Sequence, residues 1–300
     1  MKVGLMVPLS EEDGVAPSWS ELRALVQAAD EAGLDSIYAA DHLLFRGADD
    51  GEATTIGIHE AFTLLAGFAA VTRRAEIGPL VAAIPFRNPA LLAKMAAGID
   101  EISGGRFVMG VGCGWHKPEF TAFGYEFVHR VSQFAEGMEI VAGLLREGRA
   151  DFSGEWQAAS DAVLRPAGPR PGRIPILVAG HRPRMLSLVA RYADRWNAAW
   201  YGRWEEADEL RRRLANLSSA LDQTGRDPAT LALTVGLDVA FPALAPEART
   251  DGVIAGTADE VGEAFKAYAE AGFAEVICHC DPATPDGMAE LGRAAALTRG

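Results

Sequence analysis

Three short clusters in this chain carry residue types that can do chemistry at the spacing chemistry needs. Asp41-His42 sets a carboxylate beside an imidazole. A histidine titrates near neutrality and can donate to negative charge developing on a substrate or cofactor. The adjacent carboxylate can orient that ring or the neighbouring loop; the alternative is an imidazole satisfied by backbone at a corner. Gly112-Cys113-Gly114-Trp115-His116 follows the apolar run Phe107 to Val111. Glycines at 110, 112 and 114 strip side chains from alternate positions, so backbone can approach a ligand closely. An aromatic and a second imidazole come next; a glycine-rich turn without a role is the other reading. Gly180-His181-Arg182-Pro183 places a glycine and an arginine at a helix start, where free N–H groups and the helix dipole favour a phosphate. Arg130 opens another helix and offers a second cation. Together the two arginines point to a phosphate-bearing cofactor.

These clusters need elements to position them, and strand-like segments alternate with helix-like ones along the chain. The strand readings are Val3 to Pro8, Ser36 to Ala40, Ile77 to Ala83, Phe107 to Val111, Ile174 to Ala179, Arg195 to Trp200, Leu231 to Phe241 and Glu275 to Cys280. Between them lie helical repeats with readable ends. Ser18-x-x-Glu21 and Thr257-x-x-Glu260 are capping boxes, Asn88-Pro89 starts a helix, and Gly33 and Gly104 stop two. The helix after Asn88 shows an inward stripe of Leu91, Leu92, Met95, Ile99 and Ile102. Eight strands alternating with eight helices predict a parallel (β/α)8 TIM barrel of the α/β class. The 300 residues suit one such barrel, which needs about 250, as a single domain over 1–300. In that fold chemistry sits where strands end, which adds Pro8, Asn197 and His279 to the list. The turn-rich connection from Arg146 to Arg173 is long enough to cover such a site.

Composition narrows the partners. With 28 basic against 41 acidic residues the net charge is −13, which disfavours nucleic acid and anionic membranes. Arg211-Arg212-Arg213, flanked by acids, reads as a solvated helix face. No apolar run reaches the 18 or so residues of a membrane span, and the amino terminus enters a strand without a signal-peptide layout. A cytoplasmic protein acting on a small-molecule substrate is expected. Three cysteines without a Cys-x-x-Cys argue against a disulfide framework or structural zinc. The strand ends lack the His, Asp and Glu set of a metal-dependent barrel hydrolase, so no metal is expected.

Taken together these segments resemble the bacterial luciferase-like superfamily of barrel oxidoreductases, which use FMN or the deazaflavin coenzyme F420. The resemblance runs from Val3 through Phe273. It rests on Ala40-Asp41-His42, on Phe86-Arg87-Asn88-Pro89-Ala90-Leu91-Leu92-Ala93-Lys94, and on Ser103 through Trp115 with Glu119-Phe120 and Phe123-Gly124. Pro175 to Gly180 and Arg191 to Asn197 complete it. It implies His42 near the reactive face of the ring, with Asp41 beside it. It also implies a non-prolyl cis peptide in Leu80-Val81-Ala82, bulging against the cofactor. Gly112 and Cys113 would lie by the ring, Arg130 on its phosphate, and Gly180-His181-Arg182 in a second phosphate-contacting loop. Trp115 and His116 would shape the substrate side.

Two positions depart from deazaflavin-dependent sugar-phosphate dehydrogenases. Trp115 stands where those enzymes carry a catalytic glutamate, and Arg46 where they carry an aromatic. The resemblance therefore implies hydride transfer between coenzyme F420 and some other small organic molecule. The Asp-His pair and the Gly-x-Gly-x-Gly-Trp run favour that branch. An FMNH2- and oxygen-dependent monooxygenase is the alternative, and a non-catalytic flavin-binding protein a further one. A homodimer and a flavin or F420 reductase partner are implied with them.

Overall fold

The computed structural model describes residues 1–49 and 52–299, and strand and helix alternate as the apolar runs and caps require. β1 (Lys2–Val7) leads to α1 (Trp19–Glu31), where Ser18 and Glu21 complete the capping box. β2 (Ser36–Ala39) is followed by an antiparallel hairpin that the sequence pattern did not announce, β3 (Leu44–Asp49) with β4 (Glu52–Gly57). Next come α2 (Ala61–Val71), β5 (Glu76–Pro79) and β6 (Ala82–Ala83). Asn88 caps α3 (Pro89–Ser103), and Gly104 ends it at a left-handed φ of 67°. β7 (Met109–Gly112) runs into the short α4 (Lys117–Ala122) and the long α5 (Arg130–Glu147). A second hairpin, β8 (Arg149–Ser153) with β9 (Ala158–Val163), fills much of the 146–173 connection. The remaining elements are β10 (Ile176–Ala179), α6 (Pro183–Tyr192), β11 (Arg195–Tyr201), α7 (Asp208–Thr224), β12 (Ala232–Ala240), β13 (Ile254–Ala255), α8 (Ala258–Glu270), β14 (Glu275–Asp281) and α9 (Pro285–Ala296).

The large parallel sheet follows the order β5-β2-β1-β14-β12-β11-β10-β7-β6. β5 and β6 are the two halves of the expected third strand, parted at Leu80–Val81, whose peptide bond is cis as the resemblance implies. A parallel bridge between Ile77 and Phe107 brings the first half against the start of the fourth strand. The sheet therefore closes into a ring of eight strand positions, the expected (β/α)8 barrel. Among the described residues, α4 is the one α-helix beyond the eight that follow those strands.

The alternating glycines of the fourth strand have a different use from the one expected. A Cβ on Gly110 would lie 2.0 Å from the Pro79 carbonyl oxygen, and one on Gly112 2.7 Å from Val81 Cγ2. They let the kinked third strand press against β7, so the clearance serves the barrel wall before it serves any ligand. The α3 stripe is also rotated: Leu92, Ala93, Ala96 and Ile99 are buried, whereas Leu91 is 55% and Ile102 51% exposed.

One mouth of the barrel is plugged by charge. Arg195, at the start of β11, reaches both Glu76 oxygens at 2.8 Å and Glu275 at 3.4 Å. Lys2 Nζ joins Glu76 at 2.9 Å, and the Ser36 hydroxyl donates to Glu275. These residues open their strands, so the network fills the N-terminal mouth and leaves chemistry to the other end.

Candidate active site

At the C-terminal mouth a cavity of about 820 Å³ opens among the strand ends, within the range of small-molecule and cofactor sites. It gathers most of the residues singled out from sequence: Asp41, His42, Leu80, Val81, Gly112, Cys113, Trp115, Arg130, Gly180, His181 and Arg182 all line it. Ala82 and His116 do not. Ala82 is fully buried and pairs with Val111 in the sheet. His116 is spent on structure, its Nε2 accepting the Arg46 backbone N–H at 2.9 Å and so pinning the first hairpin to the fourth-strand loop.

His42 sits at the centre of a pair that sequence reasoning missed. Its Nδ1 lies 3.0 and 3.1 Å from the two Glu119 carboxylate oxygens, and the Leu43 N–H donates to the same group at 2.9 Å. Glu119 enters from α4 and is only 1% exposed. A carboxylate can only accept, so Nδ1 carries the proton and Nε2 is left for a ligand. Glu119 carries no sequence signal beyond its place in the Glu119-Phe120 motif, and the acid adjacent to His42 in sequence, Asp41, is not the one that orients the ring. Asp41 instead accepts from Arg87 at 2.6 and 2.8 Å and from the Ala83 N–H at 3.0 Å. It locks the chain leaving β6, and its carboxylate oxygens are already engaged. Burial pushes that carboxyl above its ordinary range, against the pull of Arg87.

The aromatic expected to be lost at Arg46 is supplied one residue earlier. Phe45 packs on His42 with ring centroids 4.5 Å apart, and Trp115 meets the imidazole edge-on at 5.5 Å. The first hairpin thus contributes to the cavity wall, through Phe45. The second hairpin contributes none of its residues; it is tied to α5, where Glu136 accepts the N–H groups of Glu155, Trp156 and Gln157 at 2.7–3.1 Å. The 146–173 connection is a buttress, not a cover.

Cations collect on another side of the cavity. Arg130 donates from Nε to the Gly114 carbonyl at 3.1 Å and lies 3.9 Å over the Phe127 ring. Arg182 is the N-cap residue of α6, with Pro183 at the first helical position. Arg184 and Arg213 join them. Arg213 corrects the reading of 211–213 as a solvated face: its side chain is 18% exposed, ion-paired to Glu209 and turned inward over Tyr201. Burial, together with Arg213 and Arg182, pushes His181 below the ordinary histidine value. In an acidic chain such a cluster fits one kind of group, an anion with several acceptor oxygens, so a cofactor phosphate suits the residues present. Burial also raises the Cys113 thiol, opposed by Arg130. Among the described residues no three His, Cys, Asp or Glu side chains form a metal-binding group, and His42, His181 and His279 do not converge on one.

A family profile described as luciferase-like monooxygenase matches residues 1–251. Pyrimidine monooxygenase RutA of Allorhizobium ampelinum is 31% identical over 240 residues, which is 75% of this chain and 64% of that protein. The chain thus spans slightly less than two thirds of that relative's length. Among solved structures, an F420-dependent secondary alcohol dehydrogenase in complex with an F420-acetone adduct superposes with a TM-score of 0.80 at 16% identity, across 100% of this chain and 99% of that one. The FMN-bound oxygenating constituent of 3,6-diketocamphane monooxygenase from Pseudomonas putida gives 0.73 at 19% identity, across 99% and 98%.

Proposed function

The chain belongs to the luciferase-like monooxygenase family, and on that footing we propose that it is a single-domain oxidoreductase that uses reduced FMN and oxygen to oxygenate a small nitrogen heterocycle of the pyrimidine class. The observation that carries this reading is the union, in one cavity, of the His42–Glu119 pair with the arginines at 130, 182, 184 and 213. The 31% identity to a pyrimidine monooxygenase supports that substrate class and favours oxygenation over hydride transfer.

The cofactor, when bound, supplies the redox chemistry. Arg182, Arg184, Arg213 and Arg130, with the free N–H groups at the start of α6, would hold its phosphate. The Leu80–Val81 kink and the Gly112-Cys113 strand end would flank the ring. His42, fixed by Glu119, holds or moves a proton at Nε2. Phe45 and Trp115 form the wall beside that imidazole. A protein of this kind draws reduced flavin from elsewhere, so a flavin reductase is the proposed partner, and a cytoplasmic homodimer the proposed setting.

Hydride transfer with coenzyme F420 is the second reading, supported by the full-length likeness of fold to an F420-dependent dehydrogenase. It would use the same residues. Oxygen uptake with FMNH2 and uracil, coupled to loss of uracil, supports the first reading. Turnover with F420 under anaerobic conditions, and none with FMNH2 and oxygen, replaces it with the second. Tight cofactor binding with neither reaction would leave a flavin-binding protein.

A further inference from the structure

The wall formed by β11, β12 and β14 carries a second imidazole held by a carboxylate. His279, on β14, places Nδ1 3.1 Å from Asp238 Oδ1 on the neighbouring β12. Its ring lies on the Trp200 indole, with centroids 3.9 Å apart and planes 29° from parallel. Trp200 is itself held by shape. The register of β11 against β12 shifts between Ala198 and Tyr201, which turns Trp200 across Gly236, where a Cβ would stand 2.3 Å from the indole. Arg249 Nη2 lies 3.3 Å from the second Asp238 oxygen. His279 and Trp200 both line the cavity.

Three constraints therefore act on one ring: Asp238 fixes its tautomer, Trp200 its plane, and β14 its position. Because the carboxylate accepts, the Nδ1 proton stays on the side of Asp238, and neutral His279 has an acceptor lone pair at Nε2. No protein group among the described residues bonds that nitrogen, since the Asp238 contact is made by Nδ1. A half-exposed histidine held this way is a recognition group in want of a donor. We propose that His279 is a substrate-specificity residue whose Nε2 accepts a hydrogen bond from an N–H or O–H of the bound organic molecule. The inference rests on reading the cavity as the site where cofactor and substrate meet.

The test uses matched pairs of compounds that differ only by methylation of the donor: uracil and 1,3-dimethyluracil, 2-pyridone and N-methyl-2-pyridone, phenol and anisole. The protein is first saturated with FMN or F420, whichever it binds, and each compound is titrated by calorimetry. In at least one pair the donor-bearing compound should bind about tenfold more tightly, the worth of one hydrogen bond. That preference should vanish in His279→Ala while cofactor affinity stays within about twofold, which also reports a folded variant. Loss of the preference in the uracil pair alone removes the pyrimidine reading and leaves His279 in place. No preference in any pair, a preference that survives His279→Ala, or loss of cofactor affinity in that variant overturns the proposal. Nitrogen-15 NMR gives a ligand-free check: neutral His279 should carry its proton on Nδ1, and a proton on Nε2 would contradict it.

Discussion

Glu119 and His42 are 77 residues apart in sequence, yet Oε1 of one lies 3.0 Å from Nδ1 of the other at the cavity wall. The buried carboxylate sets which imidazole nitrogen faces a ligand and steadies the ring when it is charged. Glu119→Gln keeps the shape and removes the charge. Turnover should fall by about 10²-fold, at the low end of what a positioned acid or base contributes, while FMN affinity changes less than about twofold. Steady-state kinetics beside a fluorescence titration separates the two effects.

On the proposed reading Arg213 faces the cofactor phosphate and its neighbour Arg212 faces solvent. Arg213→Ala should weaken FMN binding about tenfold or more, the worth of a charge-assisted hydrogen bond, and leave riboflavin, which lacks the phosphate, nearly unaffected. The exposed neighbour Arg212, changed to Ala, should alter neither. Equal losses for FMN and riboflavin would move Arg213 away from the phosphate.

On the same reading His181 should report the anion through its titration. Burial and two guanidinium groups hold its pKa below the ordinary histidine value of about 6.5. The unfolded chain therefore takes up this proton first as the solution is acidified. Stability from this group is whole above about pH 6.5 and is lost as pH falls towards the folded value. A bound phosphate adds negative charge and should raise the folded pKa. Proton NMR titration of His181 with and without FMN measures both, and an unchanged or lowered value with FMN would place the phosphate elsewhere.

At the opposite mouth Arg195 sits between Glu76 and Glu275. Arg195→Met leaves the buried Glu275 without its cation and Glu76 with Lys2 alone, a loss of about 3–5 kcal/mol for a broken buried pair. Denaturant unfolding should show that fall, while turnover per folded molecule stays at the wild-type level because the network does not touch the cavity. A large loss of turnover in the folded variant would link the two mouths.

The barrel was legible because its signals are local. Apolar strand runs, the capping boxes at Ser18 and Thr257, Asn88-Pro89 and the left-handed Gly104 each declare themselves within four residues. Strand ends then follow from the fold, which is why His42, Gly112, Cys113, Trp115, Arg130 and the 180–182 turn are expected at the mouth whose cavity they line. The failures are of a different kind. Glu119 belongs to the site through a contact across 77 residues that no periodicity encodes. Arg213 lies in a run of three arginines, and only the rotation of α7 decides which one turns inward. His116 stands beside Trp115 but one residue onward, enough to direct it at the Arg46 N–H instead of the cavity. The glycines of β7 were recognised as clearance, but what they clear is a neighbouring strand.

A crystal structure with bound FMN is the most direct test that one cavity joins the imidazole pair to the arginine cluster. The phosphate should lie within hydrogen-bonding distance of Arg213 or Arg182, with the ring against Leu80–Val81 and beside His42. FMN bound elsewhere, or with its phosphate away from α6 and its ring out of reach of His42, would contradict the account.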